Sequence, residues 1–148
     1  MVKRTGGTPG APQASIAEAI AAITALLGGG RTDLSGIDCD FSAVSPFDAG
    51  VLRAARAVPA GQTTTYGALA TTLGDPALAR RVGQALGRNP LPIIVPCHRI
   101  MGADGRLVGF SARGGVALKL QMLTIEGAPV GGGAGLFDDL PLALKPRP

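Results

Sequence analysis

Apolar residues along this chain recur mainly at helical steps. Ile16, Ile20, Ile23 and Leu27 form one stripe and predict a helix from a Ser15 cap to about Leu27, stopped by Gly28-Gly29-Gly30. A short strand is expected around Ile37 to Phe41. Ser45-Pro46 then opens a second helix with Phe47, Val51, Ala54, Ala55 and Val58 on one face and Arg53 and Arg56 off it. Pro59-Ala60-Gly61 closes it. From Thr63 to Arg88 the pattern gives two short helices. Thr65 or Thr64 caps the first and Gly74 ends it; Asp75 caps the second, whose first turn holds Pro76. In that second helix Leu78, Val82, Ala85 and Leu86 point inward. Arg80, Gln84 and Arg88 line the opposite side at steps of four, with Arg81 beside them. This is a helix-turn-helix pattern. Ala103-Asp104-Gly105-Arg106 is a turn signal between Ile100-Met101 and Leu107-Val108, predicting a small hairpin or wing. A last helix, from about Gly115 to Glu126, is expected to bury Val116, Leu120 and Leu123. The fold class is therefore mainly α with a small β hairpin, of helix-turn-helix or winged-helix-like form.

Composition narrows the function classes. With 148 residues, 46% of them hydrophobic, the chain can bury one real core. The ends, 1–14 and 128–148, are rich in Gly and Pro and read as flexible. Fourteen Lys and Arg against ten Asp and Glu leave a net charge of +4, which favours an anionic partner. One Tyr and four Phe are too few for a base-stacking platform of the single-strand type, so a helix in a groove is the better form of nucleic-acid contact. The apolar run Ile16 to Leu27 is too short to span a bilayer and contains Glu18. Cys39 and Cys97 do not resemble a secreted disulfide framework, so a reducing cytoplasm is expected. With one histidine and two separated cysteines, no metal site and no cofactor is expected.

The candidate chemistry sits in Pro96-Cys97-His98-Arg99, at the end of the apolar run Ile93-Ile94-Val95, where a thiol adjoins the only histidine. The thiolate is the nucleophile, so a nearby base or cation must favour ionisation, and His98 and Arg99 offer both. An isolated Cys-His dipeptide is more often structural. A charged helix face is likewise more often merely solvated than bound to DNA.

The longer segment Asn89 to Ile100 resembles the active-site segment of the O6-alkylguanine-DNA alkyltransferases, or methylated-DNA-protein-cysteine methyltransferases. Tyr66-Gly67, Ala79-Arg80-Arg81-Val82-Gly83, Asn89-Pro90 and Ile125-Glu126-Gly127 fall in that family's order around it. The resemblance implies a DNA-binding catalytic domain over residues 46–127. Residues 15–45 would be the last helix and strand of an N-terminal α/β domain that is otherwise largely missing. It also implies an enzyme that binds double-stranded DNA containing O6-alkylguanine through the minor groove, as a monomer. That enzyme flips the damaged base and moves its alkyl group irreversibly to Cys97, once per molecule. His98 would draw the thiol proton through a water, Glu126 would orient the imidazole, and Asn89 would tie the recognition helix to the active-site loop. Tyr66 would crowd the target phosphate, and Arg80, or Arg81, would enter the stack in place of the extruded base. Gln84 and Arg99 belong to the expected DNA-facing set, Arg99 with a structural and electrostatic task near the motif. Tyr66, Pro96, Ile100, Phe110 and Ser111 would form the guanine pocket. Two competing readings are a non-enzymatic, alkyltransferase-like lesion sensor, which usually lacks the acceptor cysteine, and a transcriptional helix-turn-helix module. The chain departs from the family at Phe110, where tyrosine is frequent, and in a pocket loop two residues longer than usual that carries Arg113.

Overall fold

The computed structural model describes residues 14–108 and 115–130. Almost all of the two expected flexible ends, together with Phe110 and Ser111, lies outside the described residues. Five α-helices are described: α1 (Ala14–Leu27), α2 (Pro46–Arg56), α3 (Tyr66–Thr72), α4 (Ala79–Gly87) and α5 (Gly115–Glu126). Two short strands, β1 (Thr64–Thr65) and β2 (Ile100–Met101), complete them.

The scaffold that carries the site is the packing of α2, α3 and α4. Ser45 accepts from the Asp48 N–H at 3.2 Å to open α2, with Pro46 where its missing N–H is no loss. Val51, Leu52 and Ala55 of α2 then meet Leu69 and Ala70 of α3 and Val82, Ala85 and Leu86 of α4, all essentially buried. Each large apolar side chain withdrawn from water in this way contributes about 1.5–3 kcal/mol. Val95, Cys97 and Ile100 are part of the same cluster, so the active-site segment is anchored in the scaffold core.

Of the two threonines, Thr65 is the cap: its hydroxyl accepts from the Ala68 N–H at 3.1 Å. Gly74, at φ +106, turns the chain where a side chain would be strained. Asp75 then accepts from the Ala77 N–H at 2.8 Å and starts the 3-10 turn Pro76–Leu78 that feeds α4. The helix-turn-helix is thus built with the cap and turn residues that the sequence pattern indicates.

Four expectations change. The hairpin is replaced by a parallel pair, Thr64 opposite Ile100 and Thr65 opposite Met101. Leu107 packs against the cluster of Met101, Leu123 and Ala128, and the Val108 carbonyl is taken by side chains, so this segment does not return as a strand. No strand forms at Ile37 to Phe41, because the Arg56 guanidinium collects the carbonyls of Leu34, Ser35 and Ile37 at 3.4, 2.9 and 2.7 Å. On α1 it is Leu26 that is buried, with Ala22 and Ile23 beside it; Ile16, Ile20 and Leu27 are exposed, because α1 meets the body only along the Leu26 face. On α5, Val116 is exposed, while Lys119 and Met122 are buried beside Leu120 and Leu123.

The stripe expected along α4 also divides. Arg88 turns back to α2, donating through Nε and Nη2 to the two Asp48 carboxylate oxygens, each at 2.9 Å. Arg81 lies 4.1 Å over the Phe47 ring. Arg80 and Gln84 remain exposed. Asp48 is largely buried, and the Arg88 hydrogen bond, against the opposing effect of burial, holds its carboxyl below the usual range. Replacing Arg88 by Ala leaves that carboxylate without its main partner. The expected result is a modest loss of stability, because Arg88 is itself solvent-exposed, measured as a lower urea midpoint with an unchanged slope.

Candidate active site

The loop between α4 and the reactive turn is fixed by Asn89. Its Oδ1 accepts from the Leu91 N–H at 2.9 Å, while its Nδ2 donates to the Val95 carbonyl at 3.1 Å and approaches the Cys97 Sγ at 3.5 Å. Between those anchors Ile93 is held at φ +78, a conformation that costs a β-branched residue of order 1–3 kcal/mol. The chain then enters the 3-10 turn Cys97–Arg99, which presents the thiol, the imidazole and the guanidinium on consecutive residues.

Beneath this turn Glu126, at the end of α5, is the centre of a buried ionic cluster. Its Oε1 lies 2.9 Å from His98 Nε2 and accepts from Arg99 Nη2 at 2.7 Å, and its Oε2 accepts from Arg99 Nε at 2.9 Å. Arg99 Nη1 donates to the Val58 carbonyl at 2.6 Å, which ties the cluster to the end of α2. Burial opposes ionisation of Glu126, yet the His98 and Arg99 hydrogen bonds and charges bring it from 4.5 down to about 2. The carboxylate is therefore ionised at neutral pH and holds His98 through Nε2. His98 itself is fully buried, and its Nδ1 has no hydrogen-bond partner among the described residues.

Cys97 is 8% exposed, enough to be reached and too little to be freely solvated. Burial pushes its thiol pKa up; the Asn89 amide, the Lys119 charge and the backbone N–H groups of Cys97 and His98 pull in the opposite direction. Tyr66, the first residue of α3, is half-buried beside it, and its hydroxyl donates to the Val108 carbonyl at 3.4 Å. Pro96 and Ile100 are buried on either side of the turn. The Tyr66 ring also lies against α4, where a Cβ at Gly83 would stand 3.7 Å from it, an ordinary contact. A cavity of about 790 Å³ reaches Arg99, Glu126 and Pro96 but not Cys97, so it is separate from the space in front of the thiol.

The structure thus brings Cys97, His98, Glu126, Asn89, Tyr66, Pro96 and Ile100 together. It places Arg80 and Gln84 on the exposed face of the second helix of the helix-turn-helix. Arg99 is the correction: expected in the DNA-facing set, it is 11% exposed in its side chain and spends its donors on Glu126 and Val58. Arg81 is engaged with Phe47, which leaves Arg80 as the better-placed of the two arginines. One residue of the site is absent from the sequence reading. Lys119 is fully buried on α5, donating from Nζ to the Ile100 carbonyl and, at 3.1 Å, to the Val108 carbonyl. The available signal was a lone cation in the apolar run Val116 to Leu123. The helical count there was instead assigned to core packing.

A thiol that meets an amide donor, on the residue before a buried imidazole-carboxylate pair and on a helix-turn-helix scaffold, is the arrangement of a DNA-binding-type domain with a candidate cysteine nucleophile. The comparisons make this particular. Residues 46–128 match the model of the 6-O-methylguanine DNA methyltransferase DNA-binding domain. The methylated-DNA-protein-cysteine methyltransferase of Mycobacterium leprae is 40% identical over 124 residues, covering 84% of this chain and 73% of that protein. The Salmonella typhimurium protein of the same name is 49% identical over 83 residues, 56% of this chain, so that this chain spans about half (47%) of that relative. Among solved structures, Mycobacterium tuberculosis OGT in complex with DNA superposes with a TM-score of 0.69 at 37% identity, covering 76% of this chain and 69% of that one. The O6-methylguanine-DNA methyltransferase of Pyrococcus kodakaraensis gives 0.63 at 34% identity, over 74% and 62% of the two chains. The chain belongs to the 6-O-methylguanine DNA methyltransferase family.

The Glu126 cluster has a consequence for acid stability. A carboxylate lowered from 4.5 to about 2 contributes stability that is fully present above 4.5 and is lost as pH falls toward 2. Glu126→Gln should therefore lower the melting temperature at pH 7 and flatten its decline between pH 4.5 and 2. Equal acid slopes for the two proteins would place the titration elsewhere.

Proposed function

We propose that this chain repairs alkylated DNA by moving the O6-alkyl group of guanine onto Cys97. The observation that carries the proposal is the His98 ring, gripped at Nε2 by an ionised Glu126 and open at the buried Nδ1, on the residue next to the thiol. Glu126 fixes the tautomer and offsets the charge of the imidazolium, and Nδ1 takes the thiol proton through a water. The thiolate then displaces the alkyl carbon in line. A sulfur–carbon bond forms as the carbon–oxygen bond to O6 breaks, and the departing guanine takes up a proton to end as the ordinary base. A thioether is a poor leaving group. Each molecule therefore acts once, and no cofactor enters the balance.

The DNA contact follows from the helix-turn-helix. A guanine held in the stack cannot be brought against a thiol recessed in the protein, so the base must be extruded before the thiol can reach it. Arg80 would enter the stack in its stead, a role supported by its exposure at the start of α4, with Gln84 one turn along. Tyr66 stands between α4 and the thiol, where it crowds the flipped nucleotide and donates toward the departing guanine. The carbonyls of Cys97 and Ile100 would accept from the guanine amino group. Approach through the minor groove by a monomer is the corresponding binding mode. Phe110 and Ser111 complete the pocket in this reading; they lie outside the described residues.

Incubation with a duplex carrying O6-methylguanine should add a single methyl group to the intact mass, mapped to Cys97, and restore guanine. Cys97→Ala should gain nothing. Arg80→Ala should slow repair of the duplex by roughly tenfold or more while leaving alkylation by a free O6-alkylguanine base unchanged, because only the duplex requires extrusion. Tight lesion binding without a mass gain would instead make the chain a lesion sensor, and loss of both would refute DNA repair by this site.

A further inference from the structure

Helix α1 carries apolar surface to which the repair reading gives no work. Among its 14 residues only Glu18 is ionisable, and only Leu26 is buried, with Ala22 and Ile23 partly covered beside it. Ile16, Ile20 and Leu27 stand 51%, 53% and 45% exposed. At 3.6 residues per turn these three and Ile23 fall within an arc of about 60°, with Glu18 on the opposite side of the helix. Ala17 and Thr24 border the stripe on its open side, small enough for a second helix to approach to about 8–10 Å. The other large apolar side chains exposed among the described residues, Val108 and Val116, are single residues on separate segments. Isolated exposure of that kind is ordinary, whereas a continuous apolar row marks an interface.

We propose that the α1 stripe is the interface of a weak homodimer, in which two copies of α1 pack antiparallel about a twofold axis. The row is complementary to itself. Ile16, Ile20, Ile23 and Leu27 follow the alternating steps of four and three of a two-helix seam, and the spacing is the same from either end. In an antiparallel pair Ile16 therefore faces Leu27 of the second copy while Ile20 faces Ile23, and each contact occurs twice, as a twofold interface requires. No ionisable group stands on the stripe, so pairing strips water from none, and the positive end of each helix dipole lies beside the negative end of the other. The covering of α1 favours the same direction. Ala22, Ile23 and Leu26, which meet the body, all lie in its C-terminal half, and Gly28-Gly29-Gly30 leads on from that end. A parallel pair would crowd two bodies at one end. An antiparallel pair sets the exposed N-terminal half of each α1 along the C-terminal half of the other. Area sets the strength. A helix of 14 residues is about 21 Å long, and four side chains from each copy bury on the order of 1,000 Å² in total, the lower limit for a specific interface. Pairing therefore belongs to micromolar concentrations and above, and below them the chain is the monomer of the repair reading. Neither α4 nor Cys97 is in the cluster packed with α1, so both stay open in the pair.

Sedimentation equilibrium of the full chain tests this without DNA, between about 1 and 500 µM, with a reductant present to exclude a disulfide through Cys39. The mass should climb from one chain toward two. Ile20→Glu puts a carboxylate on a position already exposed, so the melting temperature of the dilute protein should not change, while the association constant falls roughly tenfold or more. Direction is read from a charge pair. Ile16→Glu and Leu27→Lys should each weaken pairing, and the double variant should recover it, because the introduced carboxylate of one copy then faces the introduced ammonium of the other. In a parallel pair like charges would meet, and a double variant weaker than either single one overturns the antiparallel arrangement. A one-chain mass at every concentration overturns the dimer and means that something other than a second copy covers α1. Pairing untouched by Ile20→Glu overturns the interface. None of these readouts involves methyl transfer, so failure of repair and failure of pairing are told apart.

Discussion

The Glu126 carboxylate is the constraint on which the site depends. It is almost fully buried, so its charge must be matched on the spot, and the match comes from two consecutive residues of the reactive turn. His98 and Arg99 cannot both reach one carboxylate unless the turn Cys97–Arg99 holds its 3-10 form, and that form sets where Cys97 points. The Arg99 bond to the Val58 carbonyl passes the constraint on to the end of α2. Thus the last residue of the last described helix, the turn bearing the thiol and the first helix of the scaffold are locked through one acid. Removing either partner of such a buried pair costs more than the pair contributes, because a charge is left behind. The same bond that orients the imidazole therefore also closes the fold.

A second lock connects this cluster to the helix-turn-helix. Asn89 leaves α4 with one amide committed at three points: Leu91 N–H, Val95 carbonyl and Cys97 Sγ. The helix that would meet DNA and the thiol that would meet the base are thereby separated by a few fixed residues with little slack. The strained φ of Ile93 is consistent with a loop whose ends are over-determined. Tyr66 adds a third connection, lying against α4 while its hydroxyl bonds the loop after β2. The thiol and α4 are accordingly joined by contacts already present in the free protein.

How much of this was legible in the sequence depended on whether the signal was local. Thr65, Gly74 and Asp75 specify a cap, a turn and another cap by their own short-range bonding, and the helix-turn-helix could be read from them directly. Ser45-Pro46 is equally local. The parallel pairing of Thr64–Thr65 with Ile100–Met101 has no such signal, since the partner strands are more than thirty residues apart and only two residues long. A turn-like Ala103-Asp104-Gly105 suggested the nearer partner instead. Arg88 and Arg81 illustrate the same limit: a stripe at steps of four gives the face of a helix, whereas Asp48 and Phe47, which claim these side chains, come from another helix. The residues gathered around Cys97 were legible through family resemblance, as was a structural task for Arg99, whereas its place on the DNA-facing side was not, because spacing cannot tell an inward guanidinium from an outward one. Lys119 escaped notice because a lysine in an apolar helix usually extends its charge back to water.

The site has to reconcile two demands on one sulfur. In the proposed reaction the thiol must meet an apolar alkyl carbon and benefits from burial, which excludes water and leaves the thiolate poorly solvated and reactive. Burial alone also keeps the thiol protonated, and the rise in the Cys97 pKa is that cost. The opposing groups are arranged by range. The Asn89 amide approaches the sulfur directly, the Lys119 charge and the backbone N–H groups of Cys97 and His98 pull the same way, and His98 on the next residue is held by Glu126. Placing a second acid near the sulfur would have supplied a base but suppressed the thiolate. Here the acid is instead bonded to the imidazole at Nε2, and Arg99 holds both Glu126 oxygens. Under the proposed roles the turn runs from nucleophile to base to the cation that screens the base's carboxylate.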